Sequence, residues 1–375
     1  MPSVNRTILI GGGILALIIG ALLFAGARRA PDAGPSDPDL RIIVSVKTLD
    51  EQTAALERLL GRIGPEAAQE ELKRSGLPFT GSSHLLVHTV GDFLYQRFGP
   101  AGLSKCRDYF LAACYHDVIL RTLAEHGMGG VANAMIACRQ AGQPVMLQCS
   151  HAAGHGFLAS TDYDLLKSLA LCDDLGAKTT GFVYNSCYEG AFMENLWGVH
   201  GGVPSPKRWL KSEDPHYPCT DPRIAERYQV GCWSNQASVM YQHFGGDLRK
   251  TAEGCDSVAH ETYRRTCYNN FARQIHPLTE GSTERAFELC RSASGEDWQH
   301  YCLITIAESA FAVGDRERMP FEICERIAPE AKPNCYQKLT GLIAAHAAAG
   351  AERQTFCRRI REATWQEQCL DQTAP

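Results

Sequence analysis

Apolar and polar positions divide the chain into a short apolar head and a long series of helical segments broken by turns. Residues 8–27 form a run of 20 residues without a charge, about 30 Å long as a helix and enough to cross a bilayer core. Residues 30–39 follow as a polar spacer stiffened by Pro31, Pro35 and Pro38. Residues 40–77 read as helical, and 82–97 as a further helix. The clearest unit comes later. A short helix over 318–327 leads through a proline-marked turn (Pro329, Pro333) into a second helix opening at Cys335 and running to Ala348, with Gly350 as its stop. The glycines Gly11, Gly12 and Gly13 sit inside the apolar run and form no phosphate loop.

Cysteine turns these segments into a repeat. The 16 cysteines contain no C-x-x-C, which excludes zinc ribbons, thioredoxin-like redox sites and c-type haem attachment. Taken in order they pair as neighbours: Cys106 with Cys114, Cys138 with Cys149, Cys172 with Cys187, Cys219 with Cys232, Cys255 with Cys267, Cys290 with Cys302, Cys324 with Cys335 and Cys357 with Cys369. First members of successive pairs lie 32, 34, 47, 36, 35, 34 and 33 residues apart. A period near 34 residues is that of helix-turn-helix repeats. The first cysteine of each pair falls late in a helix A and the second opens a helix B, so a disulfide between them staples the hairpin near its turn. Equivalent units call for equivalent bridges. Each closed loop is worth about 2–3 kcal/mol in the chain-entropy account.

The expected fold is therefore all-α, a solenoid of about eight disulfide-stapled helical hairpins after an N-terminal transmembrane or signal helix. Its segments are a membrane anchor or signal (1–29), a linker (30–39), an N-terminal helical cap (40–81), His/Glu-bearing repeats (82–218) and C-terminal repeats (219–375). The interval of 47 exceeds its neighbours, and the excess lies in 198–218, which reads as a long loop.

Composition decides the compartment. Arg6 before the apolar run and Arg28 and Arg29 after it, counted alone, slightly favour a cytoplasmic C-terminal side. Sixteen cysteines argue more strongly for an oxidising compartment. The expectation is a single-pass anchor with the C-terminal part extracytoplasmic, periplasmic or at the cell surface. Ala25, Gly26 and Ala27 also fit a cleavage site, which would make the protein secreted. No cysteine closely follows the run, against a lipid-anchored lipoprotein. The net charge of −5 offers nothing for nucleic acid to bind.

Histidine supplies the candidate chemistry. Of 13 histidines, six (84, 88, 116, 126, 151 and 155) fall between 84 and 155. Two residues after the second cysteine of successive pairs stand His116, His151, Glu189, Ser234, Asn269, Ile304 and Gln337, and His84 occupies the same place one repeat earlier. His84 with His88 and His151 with His155 are i,i+4 pairs, each on one helix face. His84, His88, His116, His151, His155 and Glu189 are thus the candidate metal ligands, a set suited to zinc, iron, copper, nickel or manganese. The loop 198–218, with His200, is a candidate lid. Helix spacing of about 8–10 Å makes convergence of three helices on one ion demanding. Ala152, Ala153, Gly154 and Gly156 would allow closer approach.

Of Glu189 and Glu194, five apart and not cleanly on one helix face, one could serve as ligand or general base and the other, for which Glu194 is preferred, reads as a solvated charge. Tyr95 and Tyr115 read as packing residues, His126 as a helix-end cap beside Gly127, and His260, His300 and His346 as single structural histidines. The HLLVH segment lacks the glutamate of a zinc-protease HExxH, and no G-x-S-x-G element or nucleotide fingerprint occurs in the folded part. Two functions stay open: a metal site, with or without catalysis, or an interaction scaffold whose groove takes a protein or peptide.

The stapled hairpins over 106–369 resemble extracytoplasmic Sel1-like and tetratricopeptide-like repeat proteins, through period and staples rather than the repeat consensus. That resemblance implies a scaffold of the cell envelope. The segments HLLVHTVGDFLY (84–95), CYHD (114–117), CSHAAGHG (149–156) and CYEGAFMEN (187–195) also resemble a family of extracytoplasmic cysteine- and histidine-rich helical proteins, which implies no particular activity.

Overall fold

The computed structural model describes residues 36–371 apart from 46–47, 76, 78–80, 108, 199–204, 314–315 and 348–349. The apolar run, most of the linker and His200 lie outside the described residues. Among those described there are helices and no strand, and no helix is long and apolar enough to cross a membrane.

Three helices open the array: α1 (Pro38–Ser45), α2 (Leu49–Ile63) and α3 (Pro65–Arg74). The first begins at Pro38, inside the stretch read as linker. Proline is suited to a first helical turn, where its missing N–H costs no bond. Thr48 caps the start of α2: its side chain accepts from the Glu51 N–H at 3.2 Å and donates to the Glu51 carboxylate at 3.1 Å.

The repeats follow as α4 (Gly81–Phe98), α5 (Tyr109–Gln140), α6 (Gln143–Ser160), α7 (Leu165–Lys178), α8 (Tyr184–Trp197), α9 (Gln229–His243), α10 (Leu248–Asp256), α11 (Glu261–Leu278), α12 (Thr283–Cys290), α13 (Glu296–Val313), α14 (Met319–Arg326), α15 (Lys332–His346), α16 (Ala351–Cys357) and α17 (Ala363–Asp371). Each B helix packs on the B helix of the next hairpin, in the order α4, α5, α6, α8, α9, α11, α13, α15. The short A helices α7, α10 and α12 start at Asp164, Asp247 and Ser282, whose side chains accept from the N–H three residues on.

The chain reverses from one hairpin to the next through residues of positive φ: Asp162 and Tyr163, Gly245 and Gly246, Glu280 and Gly281, and Gly350. Gly127 (φ +59°) stands at the corresponding place, yet helical pairing continues past it, so α5 spans 32 residues and joins one B helix to the next A helix. His126 therefore lies inside a helix, not at a helix end.

All eight expected disulfides are present. Cys106 is bonded to Cys114, Cys138 to Cys149, Cys172 to Cys187 and Cys219 to Cys232. Cys255 is bonded to Cys267, Cys290 to Cys302, Cys324 to Cys335 and Cys357 to Cys369. Their Cα–Cα distances of 5.4–6.4 Å are the span a disulfide bridges.

The positions of the cysteines within the helices need correction. The second cysteine lies in the first turn of helix B at Cys187, Cys232 and Cys335, as expected, but about one and a half turns inside it at Cys114, Cys149, Cys267, Cys302 and Cys369. Cys232 sits in α9, which begins at Gln229, and Cys267 in α11, which begins at Glu261. Cys302 sits in α13, which begins at Glu296, and Cys369 in α17, which begins at Ala363. Helical pairing extends back into the residues read as turn, and the bridge joins the facing sides of the two helices. Two first cysteines depart as well. Cys106 follows a 3-10 turn (Gly99–Lys105), and Cys219 lies in a turn, because the repeat with the long interval has no helix A over 205–225. There Trp209 exchanges two hydrogen bonds with the Asn195 side chain (2.7 and 2.9 Å), and Arg208 donates to the Leu196 carbonyl at 2.6 Å. The described part of the loop is thereby pinned to the end of α8.

A second column braces the staples. The residue after the second cysteine is Tyr115, Tyr188, Trp233, Tyr268 or Tyr336 in five repeats, and all five are buried. Tyr268 donates to Asp256 at 2.7 Å and Tyr188 donates to Asp173, each aspartate following the first cysteine of its own pair. Tyr115 donates to the Cys106 carbonyl at 3.1 Å. It is a packing residue.

Candidate metal centre

Histidines on α4, α5 and α6 meet because these helices and α8 pack unusually close. A β-carbon on Gly91 of α4 would lie 2.3 Å from the Cys114 carbonyl oxygen of α5. One on Gly154 of α6 would lie 2.0 Å from the Cys187 carbonyl oxygen of α8, and one on Gly190 of α8 would lie 2.1 Å from the His151 carbonyl oxygen. Glycine alone permits such backbone contact, so these contacts tighten the spacing that otherwise keeps side chains of neighbouring helices apart.

His84 and His88 come from α4, His116 from α5, and His151 and His155 from α6. Nitrogens of His84, His88 and His116 lie within 4.8 Å of one another, as do those of His116, His151 and His155. Three imidazoles around one zinc-sized ion at about 2.1 Å need donor separations of about 3.4 Å. Small side-chain movements therefore suffice for either set to close on an ion.

Tautomers follow from the outer partners. His84 Nδ1 is 2.7 Å from the Phe110 carbonyl oxygen, His88 Nδ1 is 3.3 Å from the Asp117 carboxylate, and His155 Nδ1 is 3.0 Å from the Glu194 carboxylate. Oxygens of this kind only accept, so each Nδ1 carries a proton; in the neutral ring the inward Nε2 then holds the lone pair. His84 Nε2 and His88 Nε2 face each other at 3.1 Å, and His151 Nε2 and His155 Nε2 do the same at 3.1 Å. Burial, reinforced by neighbouring histidines, pushes His84 down to about 3 and His116 well below the usual imidazole range. His84 is thus neutral at physiological pH. With both rings neutral, the two facing Nε2 atoms are donors that could hold a metal ion.

Glu194 has no solvent exposure. Its second oxygen accepts from Tyr163 at 2.8 Å, whose phenol is pushed up by burial and by the glutamate and so keeps its proton. A carboxylate on the far nitrogen of a histidine is the usual outer support of a metal ligand, fixing the tautomer and raising its basicity.

Five of the six expected ligands are brought together and Glu189 is not. Its carboxylate lies 3.7 Å from the Arg273 guanidinium, outside both histidine groups; burial raises its carboxyl and Arg273 opposes that. Glu194, read as a solvated charge, is the glutamate that reaches the histidines. Asp117, the Phe110 carbonyl and Tyr163 were not foreseen as partners. Asp117 had a signal in its place directly after His116, whereas Tyr163 stands in an inter-repeat turn with none. All 16 cysteines are bonded, so no thiolate adds to the donor set.

No protein-family model matches this chain, and neither a curated protein nor a solved structure shows significant similarity to it.

Proposed function

We propose that the protein is an extracytoplasmic solenoid of stapled hairpins, tethered by its N-terminal apolar segment, whose buried histidines bind a transition-metal ion. The observation that carries this is the meeting of the inward Nε2 atoms of His84 and His88 at 3.1 Å, each ring oriented by an oxygen at its Nδ1. An all-imidazole set suits copper, zinc, nickel or iron, and the affinity order of divalent ions places copper and zinc ahead of manganese. An ion held by three imidazoles keeps a coordination position for water or a small substrate, which is the route by which such a site becomes catalytic. Eight disulfides support the oxidising compartment. The period and staples keep the likeness to Sel1-like and tetratricopeptide-like envelope proteins.

The test is metal analysis of the full-length protein, purified oxidised in detergent and dialysed. At least one equivalent of copper or zinc is expected, with loss in H84A/H88A. Metal-free protein that takes up neither ion, and whose stability is unchanged by H151A, would sink the reading.

A second reading is supported by a cleft of about 540 Å³ in the C-terminal repeats, lined by Arg264, Arg265, Trp298, His300 and Tyr301 among others. It lies apart from the histidine cluster and presents aromatic and charged groups together, as a peptide-binding groove does. On this reading the protein is an interaction scaffold, and a pull-down with an immobilised peptide library should be abolished by W298A and untouched by H84A/H88A.

A further inference from the structure

We infer that the cluster holds two metal ions, with the imidazole of His116 shared between them. This rests on the metal-binding reading and goes beyond it in assigning a second ion and a bridging ligand. The histidines are not one irregular group of five. They form two half-sites of the same design, one on α4 and one on α6. Each has an i,i+4 pair with Nε2 atoms 3.1 Å apart, and in each a carboxylate, Asp117 or Glu194, stands at the Nδ1 of the second histidine. His116 lies on the helix between them, 1% exposed. Its ring centroid is 5.1 and 5.3 Å from those of His84 and His88, and 5.4 and 4.9 Å from those of His151 and His155. His116 is the one residue that belongs to both groups of three donors.

The two half-sites offer an ion the same donors in the same arrangement. An imidazole has two nitrogens on different edges of its ring, and each can take one ion once the ring proton is lost. Binding the second ion therefore releases the His116 ring proton to solvent, and the protein ends with an imidazolate between two cations. Asp117 and Glu194, both carboxylates at the periphery, offset part of the added positive charge.

Copper(II) is the probe. Full-length oxidised protein in detergent, stripped with chelator and loaded with Cu²⁺, should retain two equivalents after desalting. H84A/H88A and H151A/H155A should each retain one. Imidazolate couples two copper spins, so the doubly loaded protein should show much less electron paramagnetic resonance signal than its copper content. The one-copper variants should recover full signal per copper. Retention of a single equivalent by the wild-type protein overturns the two-ion assignment while leaving the metal reading intact; retention of none overturns both. Two equivalents with undiminished signal overturn the sharing of His116. The wild-type spectrum is decisive by itself if a double variant fails to fold.

Discussion

Glu194 shows how much of the site depends on single side chains. A buried carboxylate is costly unless its oxygens are occupied, and here one accepts from Tyr163 and the other faces His155. E194Q keeps shape and loses charge, so His155 becomes a weaker ligand. Metal affinity, measured by competition with a chelator, is expected to fall about 10–100-fold while the thermal midpoint of the apo-protein changes little. An unchanged affinity would remove Glu194 from the site. His84 sets a pH dependence. Its imidazole is held at about 3 in the folded chain against an ordinary value of 6.5. Between those values the unfolded state binds a proton that the native state does not, so stability rises with pH across that window. Metal-free protein should therefore be most stable above about pH 6.5 and lose thermal stability progressively as the pH falls toward 3. H84Q should make that profile shallower, with buried His116 supplying the remainder; a wild-type profile already flat over the range would contradict the burial of a neutral His84.

At the scale of helices, close glycine contacts set the packing from α4 to α9 apart from that farther along the array. Gly91, Gly154, Gly190 and Gly231 each stand where a β-carbon would meet a neighbouring helix at 2.0–2.6 Å, whereas Gly341 on α15 has nothing within 4 Å. Farther along the array, bulky side chains fill the seam between B helices, as in the stack of Tyr268 on Trp298 at 4.2 Å. G154A and G190A should each destabilise the protein by about 1–3 kcal/mol through overpacking and reduce bound metal, because α6 and α8 must move apart. G341A, in an open helical position, should be neutral or stabilising by up to about 1 kcal/mol. Thermal melts of the three variants decide it, and equal effects at all three sites would refute the close-approach argument. The Gly91 contact brings His84 and His88 of α4 to His116 of α5, and the Gly154 and Gly190 contacts bring Glu194 of α8 to His155 of α6.

The whole molecule is a continuous run of hairpins whose order in space follows their order in sequence. Packing does not break at the expected boundary between 218 and 219: the Asn235 side chain on α9 donates to the Glu189 carbonyl on α8 at 3.1 Å. The array also curls, since α5 and α13 touch although they are far apart in the chain. Each staple acts locally on its own hairpin. Replacing Cys324 and Cys335 with alanine should cost about 2–3 kcal/mol and leave metal content unchanged. The same change at Cys138 and Cys149 should loosen α5 against α6 and lower metal content as well. Metal content and chemical denaturation of both variants would show it, and equal loss of metal in the two would mean that the staples do not act locally.

The disulfide pattern, the hairpin period and the five histidines were legible in the amino-acid order because they are periodic, and a repeat places equivalent residues in equivalent environments. The inserted loop was legible for the same reason, as a break in the period. Features that depend on helix rotation and on contacts between distant segments were not. Glu189 and Glu194 lie about 140° apart around the axis of α8, so the rotation of that helix settles which of them faces the histidines, and the glycines there set that packing. Tyr163 reaches Glu194 from an inter-repeat turn 31 residues away in the chain. Spacing along one dimension established which residues could be ligands. Only the close stacking of four helices decided which nitrogens meet, which carboxylates support them, and that His116 lies between two pairs.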